Sequence, residues 1–228
     1  MTRTLYDLAL ADEDVRPSPF CWLAKFGLLH KGLSFETIAV SFADKSQYPD
    51  PEYAKVPVLI DDGEMVKESA LILDHLEHKY PARPLAASDA ERAAAKFYSA
   101  WLVSAVYPSL GPLIMLKLLA AARAEDQVYI RTTREARFGM TLEKYAEAPG
   151  AAGRIEAALS VLAAPLAAHD FLGGRQANLC DYIAVSPFMW QRSATREPLY
   201  RAPPPVAAWM ERMLDLFDGY GRKAKSAA

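Results

Sequence analysis

The chain has 228 residues, 52% apolar and 11% aromatic, enough to bury one large or two modest cores, which excludes disorder as its dominant state. Lys plus Arg number 26 against 28 Asp plus Glu, a formal charge of -2, too balanced for a nucleic-acid footprint or a polybasic membrane patch. Cys21 and Cys180 show no spacing of a disulfide framework or zinc cluster, and the first residues lack the basic start and apolar core of a signal peptide, so a soluble cytoplasmic protein is expected.

Residues 4–8 read as a short apolar strand, followed by an acidic loop over 11–17. Ser18 then offers an N-cap, Pro19 the first helical position and Gly32 a stop, which predicts a helix over 20–31. Residues 35–40 read as a second strand, 41–55 as a polar loop, and 56–60 as a third strand. An Asp62-Gly63 turn leads to a fourth strand over 65–67. Leu71, Ile72 and Leu76 recur at helical spacing after Ser69, and Pro81 ends that helix. The order is βαβ followed by a hairpin and a helix, an α/β unit over residues 1–82 with a mixed sheet.

Beyond a Pro- and Ala-rich linker no segment reads as a strand, and residues 88–228 form an all-α second domain. Ser88 and Glu91 make a capping box, and helices are expected over 90–122, 126–148, 151–169, 179–194 and 206–217. Residues 97–116 carry no charge and are as long as a membrane span, but Pro108, Gly111, Pro112 and three serines argue for a buried, kinked helix.

Three places could carry chemistry. Ser18 sits where a strand, a loop and a helix N-terminus meet, and first-turn N–H groups with a hydroxyl donor would stabilise a thiolate. Lowering a thiol pKa from about 8.5 to about 6.5 takes roughly 2.7 kcal/mol. The competing role for Ser18 is plain helix capping. Val56-Pro57 opens a strand, and a cis bond there would turn the Val56 backbone toward a ligand. Glu68-Ser69 begins another helix, where Ser69 could hold a carboxylate and Glu68 accept from an ammonium.

Taken in this order and spacing, Ser18-Pro19-Phe20-Cys21, Lys55-Val56-Pro57-Val58-Leu59 and Lys67-Glu68-Ser69 resemble the glutathione transferase superfamily across nearly the whole chain. The resemblance implies a thioredoxin-like N-terminal domain, a helical C-terminal domain, and glutathione as co-substrate without a metal. It implies Ser18 as the thiol-activating residue, Val56 as backbone partner of the cysteinyl unit, and Glu68 with Ser69 at the γ-glutamyl end. Asn178 and Asp181 match the family's interior capping segment and belong to folding. Ser-Pro-Phe-x-Trp at 18–22, His30-Lys31-Gly32, residues 61–64 and residues 215–222 are similar to the bacterial β-etherase branch and its fungal Fuα-like relatives, which implies glutathione-dependent cleavage of aryl ethers. A homodimer is also implied.

Tyr6 is second choice for the catalytic hydroxyl. Cys21 lacks the first cysteine of a dithiol motif and reads as packed. Lys55 is the first choice for the glycine carboxylate, ahead of Lys45 and Gln47. Tyr107, Phe138 and Met140 are expected to line an apolar electrophile pocket between the domains, with Tyr98, Trp101 and Met115 as further candidates. His75 and His78 have no third metal ligand and read as a solvated helix face. The alternative function is a non-catalytic glutathione or hydrophobic-ligand carrier on the same fold.

Overall fold

The computed structural model describes residues 3–228. Strand β1 (Arg3–Leu8) leads to α1 (Pro19–His30), then β2 (Glu36–Val40), β3 (Val58–Asp61), β4 (Glu64–Lys67) and α2 (Ser69–Lys79). A helical crossover brings β2 back parallel to β1, while β3 runs antiparallel to both β1 and β4, giving the order β2-β1-β3-β4. Asp62 and Gly63 both take positive φ, 53° and 89°, as a two-residue hairpin turn that follows the strand twist requires. Leu5 and Leu59 of the sheet meet Ala24 and Leu28 of α1 and Ile72 and Leu76 of α2 in a small core of their own.

Charged groups are buried in this half, and they are paired. Asp7 and Lys25 lie 2.5 Å apart with almost no exposure, and Asp61 meets Arg3 at 2.9 Å and His75 at 2.8 Å. His75 is therefore not the solvated group expected: its ring reaches the buried Asp61 beneath α2, because α2 packs that face on the hairpin. His78, one turn along, is exposed and bonds the Asp74 carbonyl.

The second half holds α3 (Asp89–Trp101), α4 (Tyr107–Ala121), α5 (Ala124–Phe138), α6 (Leu142–Ala146), α7 (Ala151–Ser160), α8 (Ala163–Ala168), α9 (Leu179–Ala194) and α10 (Pro204–Lys223). Several helices are shorter than the sequence suggests. The expected helix 126–148 breaks at Gly139, which takes the left-handed conformation (φ 68°) and ends α5. The expected helix 151–169 breaks into α7 and α8, and α10 leaves helical geometry at residues 216–219. Ser88 caps α3 through the Glu91 N–H, but the Glu91 carboxylate bonds the Ala87 N–H rather than closing the box on Ser88.

Helices α3 and α4 are joined by one wide π turn, Leu102–Val106, in which the Tyr107 N–H reaches the Leu102 carbonyl. Pro108 explains it: proline has no N–H for the preceding turn and its ring crowds the carbonyl there, and one extra residue in the turn relieves both. The stretch Asp89–Ala121 is long and apolar enough to cross a membrane, but more than half of its most apolar window is packed inside the protein. At the centre of the helical half, Asp181 accepts from the N–H groups of Leu172, Gly173 and Asn178 and from Trp209 Nε1, while Asn178 Oδ1 caps Cys180. The capping role read for this pair is what is seen.

Candidate active site

A cavity of about 810 Å3 lies where the C-terminal end of β1 and the start of α1 face α4 and α5. Ser18, Pro19 and Phe20 form one side, Lys45, Tyr48, Lys55 and Val56 a second, and Tyr107, Met115, Tyr129, Arg134 and Phe138 the helical wall.

Ser18 is the N-cap of α1, with φ -72° and ψ 115°, and its Oγ accepts the Cys21 N–H at 3.2 Å. Capping uses a lone pair on the hydroxyl oxygen and leaves the O–H bond as a separate donor, so capping and thiol activation are compatible in one side chain. Pro19 has no N–H and Cys21 gives its own to Ser18, which leaves Phe20, on the cavity wall, to supply the free first-turn N–H. The loop that delivers Ser18 is pinned from below. Trp22 Nε1 donates to the Arg16 carbonyl at 2.8 Å, Lys25 Nζ sits 4.2 Å from the Trp22 ring centroid, and Arg16 reaches the Asp7 carbonyl.

Cys21 is fully buried with its Sγ 3.9 Å from the Tyr6 carbonyl oxygen. Burial pushes its thiol well above the ordinary value, the Asp7 charge adds to that, and the Ser18 hydroxyl opposes it. A group so placed is a packed side chain. Tyr6 points elsewhere: it pairs with Val58 on the sheet and does not line the cavity.

The Val56-Pro57 bond is cis, and Val56 and Lys55 both line the cavity. Glu68, at the N-cap position of α2, has φ 71° and ψ 134° and makes no side-chain cap. A side-chain-bearing residue at such angles costs of order 1–3 kcal/mol, a strain that clusters at ligand-binding positions. Its carboxylate accepts from the Tyr53 hydroxyl at 3.0 Å. Ser69 lines a smaller adjoining cavity of about 440 Å3, which shares Phe20, Val103 and Tyr107 with the first. No side-chain cap closes the start of α2, so its first-turn N–H groups are not satisfied by a capping side chain.

The three candidates for a carboxylate partner separate. Gln47 is used structurally, its Oε1 accepting from Ser41 N at 2.8 Å and its Nε2 donating to Asp44 at 3.0 Å. Lys45 and Lys55 line the cavity, Lys45 with its Nζ 4.7 and 4.6 Å from the rings of Tyr48 and Tyr129. Tyr107, Phe138 and Met115 line the apolar side as expected. Met140 does not: the left-handed Gly139 turns the chain out of α5, and Met140 is 39% exposed away from the cavity. Tyr98 and Trp101 pack before the π turn, away from the large cavity. Tyr129, Arg134, Arg137 and Trp190 line it without having been singled out, although residues 130, 134, 137 and 138 recur at helical spacing and announce one face of α5. Among the described residues no group of three His, Cys, Asp or Glu side chains could hold a metal ion.

Residues 14–84 match the family described as "Glutathione S-transferase, N-terminal domain", and residues 93–201 that described as "Glutathione S-transferase, C-terminal domain". Glutathione S-transferase U7 of Arabidopsis thaliana is 25% identical over 177 residues, 76% of this chain and 66% of its own length. The zeta-class glutathione S-transferase of Euphorbia esula is 30% identical over 103 residues, 42% of this chain and 45% of its own length, so the matched part spans less than two thirds of both. Glutathione transferase GSTFuA3 from Phanerochaete chrysosporium superposes with a TM-score of 0.76 at 21% identity, covering 96% of this chain and 92% of that one. A glutathione S-transferase of Ceriporiopsis subvermispora, solved in complex with glutathione, gives 0.71 at 25% identity, covering 98% and 95%.

Proposed function

Because the chain belongs to the glutathione S-transferase superfamily, we propose that it activates the thiol of glutathione for attack on an apolar, aromatic electrophile. The observation that carries this is the meeting of Ser18, at the N-terminus of α1, and Val56, whose bond to Pro57 is cis, on one cavity. In this account Ser18 donates its O–H to the thiolate, and the positive end of α1 and the Phe20 N–H lower the thiol pKa further. Val56 holds the cysteinyl backbone, Glu68 accepts from the γ-glutamyl ammonium, Ser69 and the α2 N-terminus hold its carboxylate, and Lys55 takes the glycine carboxylate. Tyr107, Phe138 and Met115 supply the apolar wall for the second substrate.

The finer proposal is aryl-ether cleavage, supported by the etherase-like motifs at 18–22, 30–32, 61–64 and 215–222. The thiolate sulfur forms a bond to the carbon next to a ketone, the bond from that carbon to the aryl oxygen breaks, and the leaving aryl oxide takes a proton from water. A homodimer belongs to the same proposal, with the exposed Leu71 of α2 and Phe97 of α3 as apolar surface for it.

The test is calorimetric titration of glutathione into the protein and into Glu68→Ala, followed by product analysis with an α-aryloxy ketone. Saturable binding weakened about tenfold or more in the variant is expected, the loss of one charge-assisted hydrogen bond. No binding at millimolar glutathione contradicts the proposal.

A further inference from the structure

The large cavity is unbalanced in charge. Lys45, Lys55, Arg134 and Arg137 line it, and among the described residues no Asp or Glu does. The two arginines, three residues apart, share the inner face of α5 with Ile130 and Phe138. On the outer face of the same helix Arg131 is fully paired, with Glu135 and Glu143 each 2.7 Å away. Nearby acids are taken. Glu135 holds Arg131 and the Leu142 N–H, and Asp126 is buried against Ser41 Oγ at 2.5 Å, the Ala43 N–H at 2.7 Å and Arg123 at 3.4 Å. Arg134 is left with one bond, from its Nη1 to Thr133 Oγ1 at 3.2 Å. Burial, with Arg137 acting the same way and Tyr129 opposing, holds its guanidinium below the ordinary value, as for a cation that has lost water without gaining an anion.

We propose that the electrophile is an aromatic acid, whose ring lies against Tyr107 and Phe138 and whose carboxylate is held by Arg134 and Arg137. The inference rests on the glutathione reading above, which assigns one cation, Lys55, to the glycine carboxylate and leaves the α5 pair without an anion of its own. A guanidinium fork meets a carboxylate with two parallel bonds in a partly dehydrated site, so it rewards an acid and leaves a neutral ring with no polar partner for Arg134.

The test compares, by calorimetry, S-benzylglutathione with S-(3-carboxybenzyl)glutathione and S-(4-carboxybenzyl)glutathione as product analogues. At least one carboxybenzyl compound is expected to bind about tenfold tighter than the neutral one. In the double variant Arg134→Gln, Arg137→Gln that ratio falls to within about twofold of unity. Arg137→Gln alone, at an exposed position and with little bearing on folding, gives an intermediate ratio, and Arg131→Gln, which removes the same charge from the outer face, keeps it. Equal or weaker binding of both acids, or a preference that survives the double variant, overturns the inference while S-benzylglutathione binding upholds the glutathione site. Failure of all three compounds to bind removes the site and the inference together.

Discussion

The floor of the cavity and its α5 wall treat charge in opposite ways. Beneath the floor, every buried ion among the described residues has a partner within its own half: Asp7 with Lys25, Lys31 with Glu77, and Asp61 with Arg3, His75 and Lys79. On the wall, Arg134 and Arg137 face a cavity that no carboxylate among the described residues lines. A buried pair fixes geometry at little net gain in stability, and here it fixes the loop that presents Ser18. An unmatched cation on a cavity wall gives up stability and keeps its binding capacity for a ligand.

Breaking the floor pairs has the largest expected effect. Lys25→Met leaves Asp7 buried and alone, and should lower unfolding free energy by about 4 kcal/mol in urea titrations. Asp61→Asn should cost about 3 kcal/mol at neutral pH. Burial alone would raise the Asp61 carboxyl, but hydrogen bonds from His75, Lys79 and Tyr80 and the charge of Arg3 hold it below the ordinary range. A carboxyl depressed in the folded state stabilises above its unfolded value and loses that contribution as pH falls through its folded one. The advantage of the native protein over Asp61→Asn should be complete above about pH 5 and close progressively below about pH 4.

Ser18→Ala stands between floor and wall. It removes a cap, worth about 1 kcal/mol of stability, and the proposed thiol donor, worth roughly a hundredfold in turnover, with glutathione affinity largely kept. The smallest effect is expected at Arg131→Gln on the outer face of α5: a thermal midpoint within about 2 °C of the native protein, since Arg131 and Glu143 are solvent-exposed and such pairs are screened.

Local chemistry made much of this legible from residues. Ser18-Pro19, Asp62-Gly63 and Asn178 with Asp181 specify a cap, a turn and a capping box through their own donors and backbone preferences, and each forms where it was read. The breaks inside the helical half were less legible. The pattern of residues 126–148 continues on either side of Gly139, and only the left-handed glycine shows that the face changes there, which is why Phe138 reaches the cavity and Met140 does not. The split between α7 and α8 falls one turn before Pro165, which has no N–H to offer the Val161 carbonyl, but the apolar periodicity runs through the junction and hides it. Of the site, Ser18, Lys55, Val56, Tyr107 and Phe138 share one cavity, Ser69 the adjoining one. The arginine wall was present as an i, i+3 pair, but its direction depends on how α5 is rotated against α4, which is a tertiary fact.

The most direct test of the central claim is the ultraviolet titration of the thiolate of bound glutathione in the native protein and in Ser18→Ala. The account predicts a bound thiol whose pKa lies about two units below that of free glutathione in the native protein and moves back toward it in the variant. Identical titration curves for the two proteins would contradict it and remove Ser18 from the mechanism.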